Sequence, residues 1–195
     1  MMYGRAHWFT PGELDADQRA YYETLTTGIR GRAMVDEHGR LTGAFNARLL
    51  DPVVGTAIQE LAAALRFRSR IAPRMRELVI LEVAHAEQCS YEWNGHAKVA
   101  LEAGLEPEAL DAIRTGAPSD LLSGEERLAR EVAQSLLRDR DLGDELFGKA
   151  ATVLGLTVVF DIVSLVGHYQ NTATALRVWR VPLGERRVID FGRGD

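Results

Sequence analysis

The chain has 195 residues, 46% of them hydrophobic, which is enough apolar material for one domain with a substantial core rather than two small ones. Its net charge of −5 comes from acids and bases interleaved along the sequence, so no basic face for nucleic acid phosphates stands out and no nucleic acid partner is expected. It holds a single cysteine, Cys89, which excludes an intramolecular disulfide and with it a dithiol mechanism inside one chain.

The opening "MMYGRAHWFTPGELD" lacks an apolar run and a small-residue cleavage site, so it does not read as a secretory signal, and a cytoplasmic protein is expected. In "TPGELDADQRAYYETLTTGIRG" Thr10 is placed to N-cap a helix, with Pro11 at its first position, Glu13 completing a capping box and Gly31 ending it. Residues 32–50, "RAMVDEHGRLTGAFNARLL", carry glycines and no sustained period. They predict an irregular loop that covers a pocket, where a lid would sit.

Asp51 and Pro52 open the next helix, in which Ile58, Leu61 and Leu65 recur at helical spacing until "IAP" breaks it. Pro73 starts "PRMRELVILEVAHAE", and Gly104 closes the following "SYEWNGHAKVALEAG". A short "EPEALDAIRTG" helix precedes "SGEE", a second capping box from Ser123 to Glu126, whose helix fades at "RDRDLG". Two more helices follow, the last running roughly from Leu156 to Trp179, before a turn and a polar tail over 181–195. No period of two persists and no repeat or low-complexity tract appears, so residues 1–195 read as a single all-α domain.

One stretch approaches membrane-spanning length: Ala150 to Gly167, 18 residues with a single charge. A carboxylate at Asp161 costs about 2.5–3.5 kcal/mol on insertion scales, so the segment reads as a helix buried in protein and no membrane partner is expected. A helix apolar nearly all round needs cover on every side, which in so small a chain predicts packing in a homo-oligomer.

The densest chemistry lies in "EQCSYEWNGH", Glu87 to His96. Cys89, Glu92 and His96 fall at i, i+3 and i+7 and share one helix face. A thiol at a helix N-terminus has its pKa lowered by the dipole, and Glu92 lies one turn before His96, near enough to orient its imidazole. The competing reading is an ordinary surface pair Glu92–His96 with Tyr91 and Trp93 in the core, and spacing alone favours it. "EVAH", Glu82 to His85, matches half of a di-iron motif, but a second copy is missing, and Cys89, Glu92 and His96 are a weak zinc set. On the last helix Asp161, His168 and Thr172 form a polar stripe, either a satisfied network or, through His168 and Tyr169, part of a pocket wall.

The segment "RMRELVILEVAHAEQCSYEWNGHAKVALEAGL" resembles the core motif of the carboxymuconolactone decarboxylase and alkylhydroperoxidase D superfamily. "GAFNARLLDP", "ALRFRSRIAPR" and "LVGHYQNTATAL" resemble flanking segments of its longer branch, marked by a Tyr-Glu-Trp and a downstream histidine, so the likeness runs roughly from Gly43 to Trp179. It implies an alkylhydroperoxidase D-like helical bundle that assembles as a trimer or hexamer, with a dimer as the alternative, and no required metal or organic cofactor. Peroxidase members use a glutamate, a Cys-x-x-Cys pair and a histidine, which fall on Glu77, Cys89 and His96, while the second cysteine falls on Glu92. The missing thiol removes the resolving partner for a peroxidase cycle. Decarboxylase members also lack the dithiol and keep the histidine.

The resemblance therefore implies acid/base chemistry on a small-molecule substrate, a carboxylated lactone or related acid, by decarboxylation, isomerisation or hydrolysis. His96 is the expected acid/base, Glu92 or Glu77 its orienting partner, and Cys89 a neighbour. Arg74, Arg76, Arg66 or Arg68 are candidates for the substrate's cation, and Tyr91, Trp93, His168 and Tyr169 for the pocket wall. The alternatives are a single-cysteine thiol peroxidase that uses an external thiol, and a non-catalytic oligomeric interaction protein.

Overall fold

A computed structural model describes residues 1–28, 31–183 and 191, with the side chain of Arg32 excluded. Among these, nine α-helices are found: α1 Ala16–Thr27, α2 Ala44–Ala47, α3 Pro52–Phe67, α4 Pro73–Ala86, α5 Ser90–Glu102, α6 Pro107–Thr115, α7 Gly124–Asp139, α8 Asp144–Val153 and α9 Leu156–Trp179. A two-residue hairpin, Met2–Tyr3 with Ala6–His7, precedes them. The protein is thus mostly helical, with this ribbon as a small departure from the all-α expectation.

Local chemistry accounts for most helix starts. Asp51 Oδ1 accepts from the Val54 amide at 3.1 Å, and Ser123 Oγ from the Glu126 amide at 3.2 Å while Glu126 returns to the Ser123 amide at 2.8 Å. Pro52, Pro73 and Pro107 sit in first turns, where a missing amide proton costs nothing. At Thr10 the expected box forms but leads only a single 3₁₀ turn. The Thr10 amide and hydroxyl donate to Glu13 Oε2 at 2.7 and 2.8 Å, and Asp15 then caps a separate helix. That helix stops at Thr27 with Gly28 following it, short of Gly31.

Residues 32–50 are more ordered than the sequence predicts. A 3₁₀ turn at Gly31–Met34, a bridge from Val35 to Leu41, α2 and a 3₁₀ turn at Arg48–Leu50 succeed one another, each too short to leave a period in the sequence. In α3 the buried positions are Gly55, Ala62 and Leu65, whereas Leu61 is 45% exposed.

Helix α4 is the axis of the fold, packed against α5, α6, α7 and α9. Leu78, Val79, Ile80 and Leu81 are each 0% exposed, so the helix is buried all round. Leu78 and Leu81 join Trp93, Ala100 and Ile113 on one side, and Val79, Ile80 and Val83 join Val132, Ile162 and Leu165 on the other. Each such side chain stabilises the fold by roughly 1.5–3 kcal/mol relative to exposure.

The near-spanning stretch is broken at Leu154–Gly155, where α8 and α9 meet at 119°, and no single helix among the described residues is long and apolar enough to cross a membrane. Asp161 is satisfied by the Arg70 amide, which donates to its Oδ2 at 3.1 Å. The far side of this bent pair presents Leu156, Phe160 and Val163 outward. Of the expected 181–195 tail, residues 184–190 and 192–195 lie outside the described residues.

Candidate active site

The link between α4 and α5 is as short as a reversal allows. Gln88 takes a left-handed φ of 51°, the Cys89 amide bonds to the Ala84 carbonyl at 2.8 Å, and Cys89 becomes the N-cap residue of α5. The two helices therefore run side by side, and Glu77 on α4 meets His96 on α5.

Glu77 Oε2 lies 2.6 Å from His96 Nδ1. Its other oxygen accepts from Arg76 Nε at 3.1 Å, while Arg76 Nη1 is anchored on the Arg66 carbonyl at 2.7 Å. Burial pushes the Glu77 carboxyl up, but the hydrogen bond from His96 and the positive charges of His96, Arg66 and Arg76 outweigh it and hold the group below its ordinary value of 4.5. An ionised Glu77 accepts only, so Nδ1 carries the proton of this bond and the tautomer is assigned by chemistry. The other nitrogen, Nε2, faces Glu92 Oε2 at 3.5 Å. The Tyr169 ring stands edge-on to the imidazole with centroids 5.1 Å apart, fixing its plane.

His96 and Glu92 border a cavity of about 690 Å³, whereas Glu77 lies behind the imidazole and does not reach it. Tyr91, His168, Tyr169 and Thr172 complete one wall. Ala33, Met34, Thr42, Ala44, Phe45 and Arg48, from the segment before α3, form another. Gly43 makes this closure possible: its φ is 61°, and a Cβ there would stand 2.6 Å from the Tyr91 hydroxyl. Burial, and then the neighbouring Tyr3 and Glu92, push the Tyr91 phenol well above its ordinary range, so it stays a neutral hydrogen-bonding group.

The expected site residues thus divide. His96, Glu92, Tyr91, His168 and Tyr169 meet at the cavity, and Glu77 supports His96 from behind. Trp93 does not line it, being 2% exposed in the core under α6. Cys89, also 2% exposed, packs with Tyr3, Ala44, Ala173 and Leu176 outside the lining. Arg74 is corrected to a structural role: its guanidinium reaches Glu126 at 2.7 Å and Glu106 at 2.9 Å, away from the cavity. Arg76 serves Glu77 rather than a ligand. Arg68 is absent from the lining, whereas Arg66 belongs to it.

The sequence reading missed Arg48, Phe45 and Met34. The available signal was Gly55, one turn into α3, since a Cβ there would come within 2.7 Å of the Arg48 carbonyl. That close approach docks Arg48 against α3. The "EVAH" half-motif is otherwise occupied, Glu82 being paired with buried Arg130 and accepting from Gln134 Nε2 at 3.1 Å. Among the described residues no three His, Cys, Asp or Glu side chains are grouped to hold a metal ion.

Residues 52–135 match the model of the Carboxymuconolactone decarboxylase family. Among solved structures, the chain is similar to an uncharacterized peroxidase-related protein from Silicibacter sp. TM1040, with a TM-score of 0.73 and 13% identity over 98% of this chain and 97% of that one. It is similar to the alkylhydroperoxidase AhpD core protein, peroxidase-related, from Ralstonia eutropha JMP134 at a TM-score of 0.71 and 16% identity, covering 98% and 95% of the two chains. The debrominase Bmp8, in complex with 2,3,4-tribromopyrrole, gives a TM-score of 0.69 and 14% identity over 87% of this chain and 89% of that one. These likenesses concern the fold. No curated protein matches the chain in sequence.

Proposed function

We propose that this chain, whose residues 52–135 match the Carboxymuconolactone decarboxylase family and whose fold is similar to that of peroxidase-related proteins, is a cofactor-free acid/base enzyme of the decarboxylase type, acting on a small carboxylated lactone or related acid. The observation that carries this reading is the buried contact of 2.6 Å between Glu77 and His96 beside a cavity of about 690 Å³. Glu77 fixes the Nδ1–H tautomer and stabilises the imidazolium, so Nε2 is the atom that takes or gives a proton at the substrate. Glu92, 3.5 Å from Nε2, is the second carboxylate able to pass a proton on. In a decarboxylation His96 acts from its imidazolium form: the bond to the departing CO₂ breaks, its electron pair receives the proton from Nε2–H, and the ring is left as the Nδ1–H tautomer that Glu77 holds. Solvent then reprotonates the imidazole. An isomerisation uses the same atom first as base and then as acid.

A peroxidase reading draws support from the position of Cys89 at the N-cap of α5 and from the fold's likeness to peroxidase-related proteins. Against it stand the burial of the thiol, its place outside the cavity and the glutamate at position 92. A panel of small carboxylated lactones and enol acids, followed by NMR for ring change and CO₂ release, tests the proposal. At least one should be turned over, with a loss of about 10²–10⁴-fold in His96→Gln. No turnover of any member, combined with fast peroxide reduction that Cys89→Ser abolishes, would replace this reading with the peroxidase one.

A further inference from the structure

Two cationic side chains enter the cavity with hydrogen-bonding capacity to spare. Arg48, on the turn after α2, and Arg66, in the last turn of α3, both line it. Arg48 Nη1 and Arg66 Nε are buried, and neither has a hydrogen-bond partner among the described residues. Nor does either guanidinium form an ion pair there, in contrast to Arg74, Arg76 and Arg130. A guanidinium does not shed its charge, so a buried N–H left unpaired keeps its full desolvation penalty until an acceptor arrives.

Both groups are held in place without spending those donors. The Arg48 Cζ lies 5.0 Å from the centre of the Phe45 ring and the Arg66 Cζ 5.6 Å from that of Phe67, and both rings line the same cavity. The close approach at Gly55 ties the Arg48 backbone to the helix that carries Arg66. Glu92 and Glu102, both from α5, also border the cavity. Their charges oppose a polyanion.

We infer that Arg48 and Arg66 form an anion-binding site that takes the carboxylate of a small monocarboxylic acid, whose apolar body lies against Met34, Phe45, Phe67 and Val99. A planar carboxylate offers two acceptor atoms to the two guanidinium groups that line the cavity without a carboxylate partner among the described residues, and its single charge avoids the repulsion that a phosphate dianion meets at Glu92. The inference deepens the acid/base reading and rests on it only for the step from bound acid to substrate.

Calorimetric titration with benzoate, benzamide and inorganic phosphate tests it. Benzoate should bind saturably, benzamide about tenfold more weakly or worse, and phosphate should not compete. Arg48→Gln and Arg66→Gln should each weaken benzoate by about tenfold while leaving benzamide unchanged, and Arg74→Met, outside the cavity, should leave benzoate within a few-fold of the wild type. Should a variant fail to fold, the benzoate to benzamide ratio on the unaltered chain still decides. Equal binding of the two, no saturable benzoate binding at tens of millimolar, phosphate binding tighter than benzoate, or loss of benzoate in Arg74→Met would each overturn the assignment. Failure of the acid/base reading looks different: benzoate binds as expected to a protein that turns over no acid.

Discussion

Replacing Glu77 by Gln keeps the shape of the side chain and removes its charge. Glu77 is 0% exposed, with His96 Nδ1 at 2.6 Å on one oxygen and the Arg76 guanidinium at 3.0 Å on the other. Removing one partner of a buried pair costs about 3–5 kcal/mol. The lower end, about 3 kcal/mol, applies because Arg76 retains the Arg66 carbonyl at 2.7 Å. The sign of the pH dependence follows from the lowered carboxyl. With a folded value below 4.5, the unfolded chain takes up the proton first, so this stabilisation is present above about pH 4.5 and is lost as pH falls through the folded value. Urea denaturation of wild type and Glu77→Gln should therefore differ by about 3 kcal/mol near neutrality and converge in acid. Nitrogen NMR of the His96 ring, which shows a proton held on Nδ1 in the wild type, should show mixed tautomers in the variant. Equal stabilities at pH 7, or an unchanged tautomer, would refute the reasoning.

Arg74→Met removes ion pairs with Glu106 and Glu126 that lie outside the cavity, so it should lower the midpoint of a denaturant titration and leave benzoate affinity unaltered. A loss of benzoate binding would return Arg74 to the site. Peroxide turnover with a dithiol reductant should be slow, since oxidised Cys89 has no second cysteine in the chain with which to condense. Rapid turnover lost in Cys89→Ser contradicts this. Phe160 is 71% exposed beside Leu156 and Val163, and a homo-oligomer of the kind the sequence leads us to expect would cover it, so light scattering should give a trimer or hexamer for the wild type and a smaller particle for Phe160→Glu. A wild-type monomer at micromolar concentration rules it out.

What the sequence revealed and what it hid follow from the range of the interactions involved. Helix starts at Asp51, Pro73, Pro107 and Ser123 were legible because capping and proline geometry act over three or four residues. Spacing placed Glu92 and His96 on one face and so offered Glu92 as a partner of the imidazole, which it meets at Nε2 at 3.5 Å, but spacing said nothing of the group at Nδ1. Glu77 lies 19 positions away from His96, and only the family resemblance pointed to it. Arg74 and Arg76 are two positions apart on α4 and so face different surroundings, one toward Glu126 and the other toward Glu77. Arg48 escaped notice because its role depends on the docking of two short turns against α3, which no periodicity records. Cys89 is on the helix end that the sequence predicted, yet its side chain points into a core cluster, and spacing alone does not distinguish the two faces of an N-cap residue.

The central claim is that His96 moves a proton at a carbon of the substrate, and solvent deuterium tests it most directly. With an acid that the protein turns over, the reaction run in D₂O and followed by NMR should place one deuterium at a single carbon of the product, and His96→Gln should remove both turnover and label while keeping the helical circular dichroism of the wild type. Product free of solvent deuterium, or labelling that proceeds at the wild-type rate without the imidazole, would contradict the account.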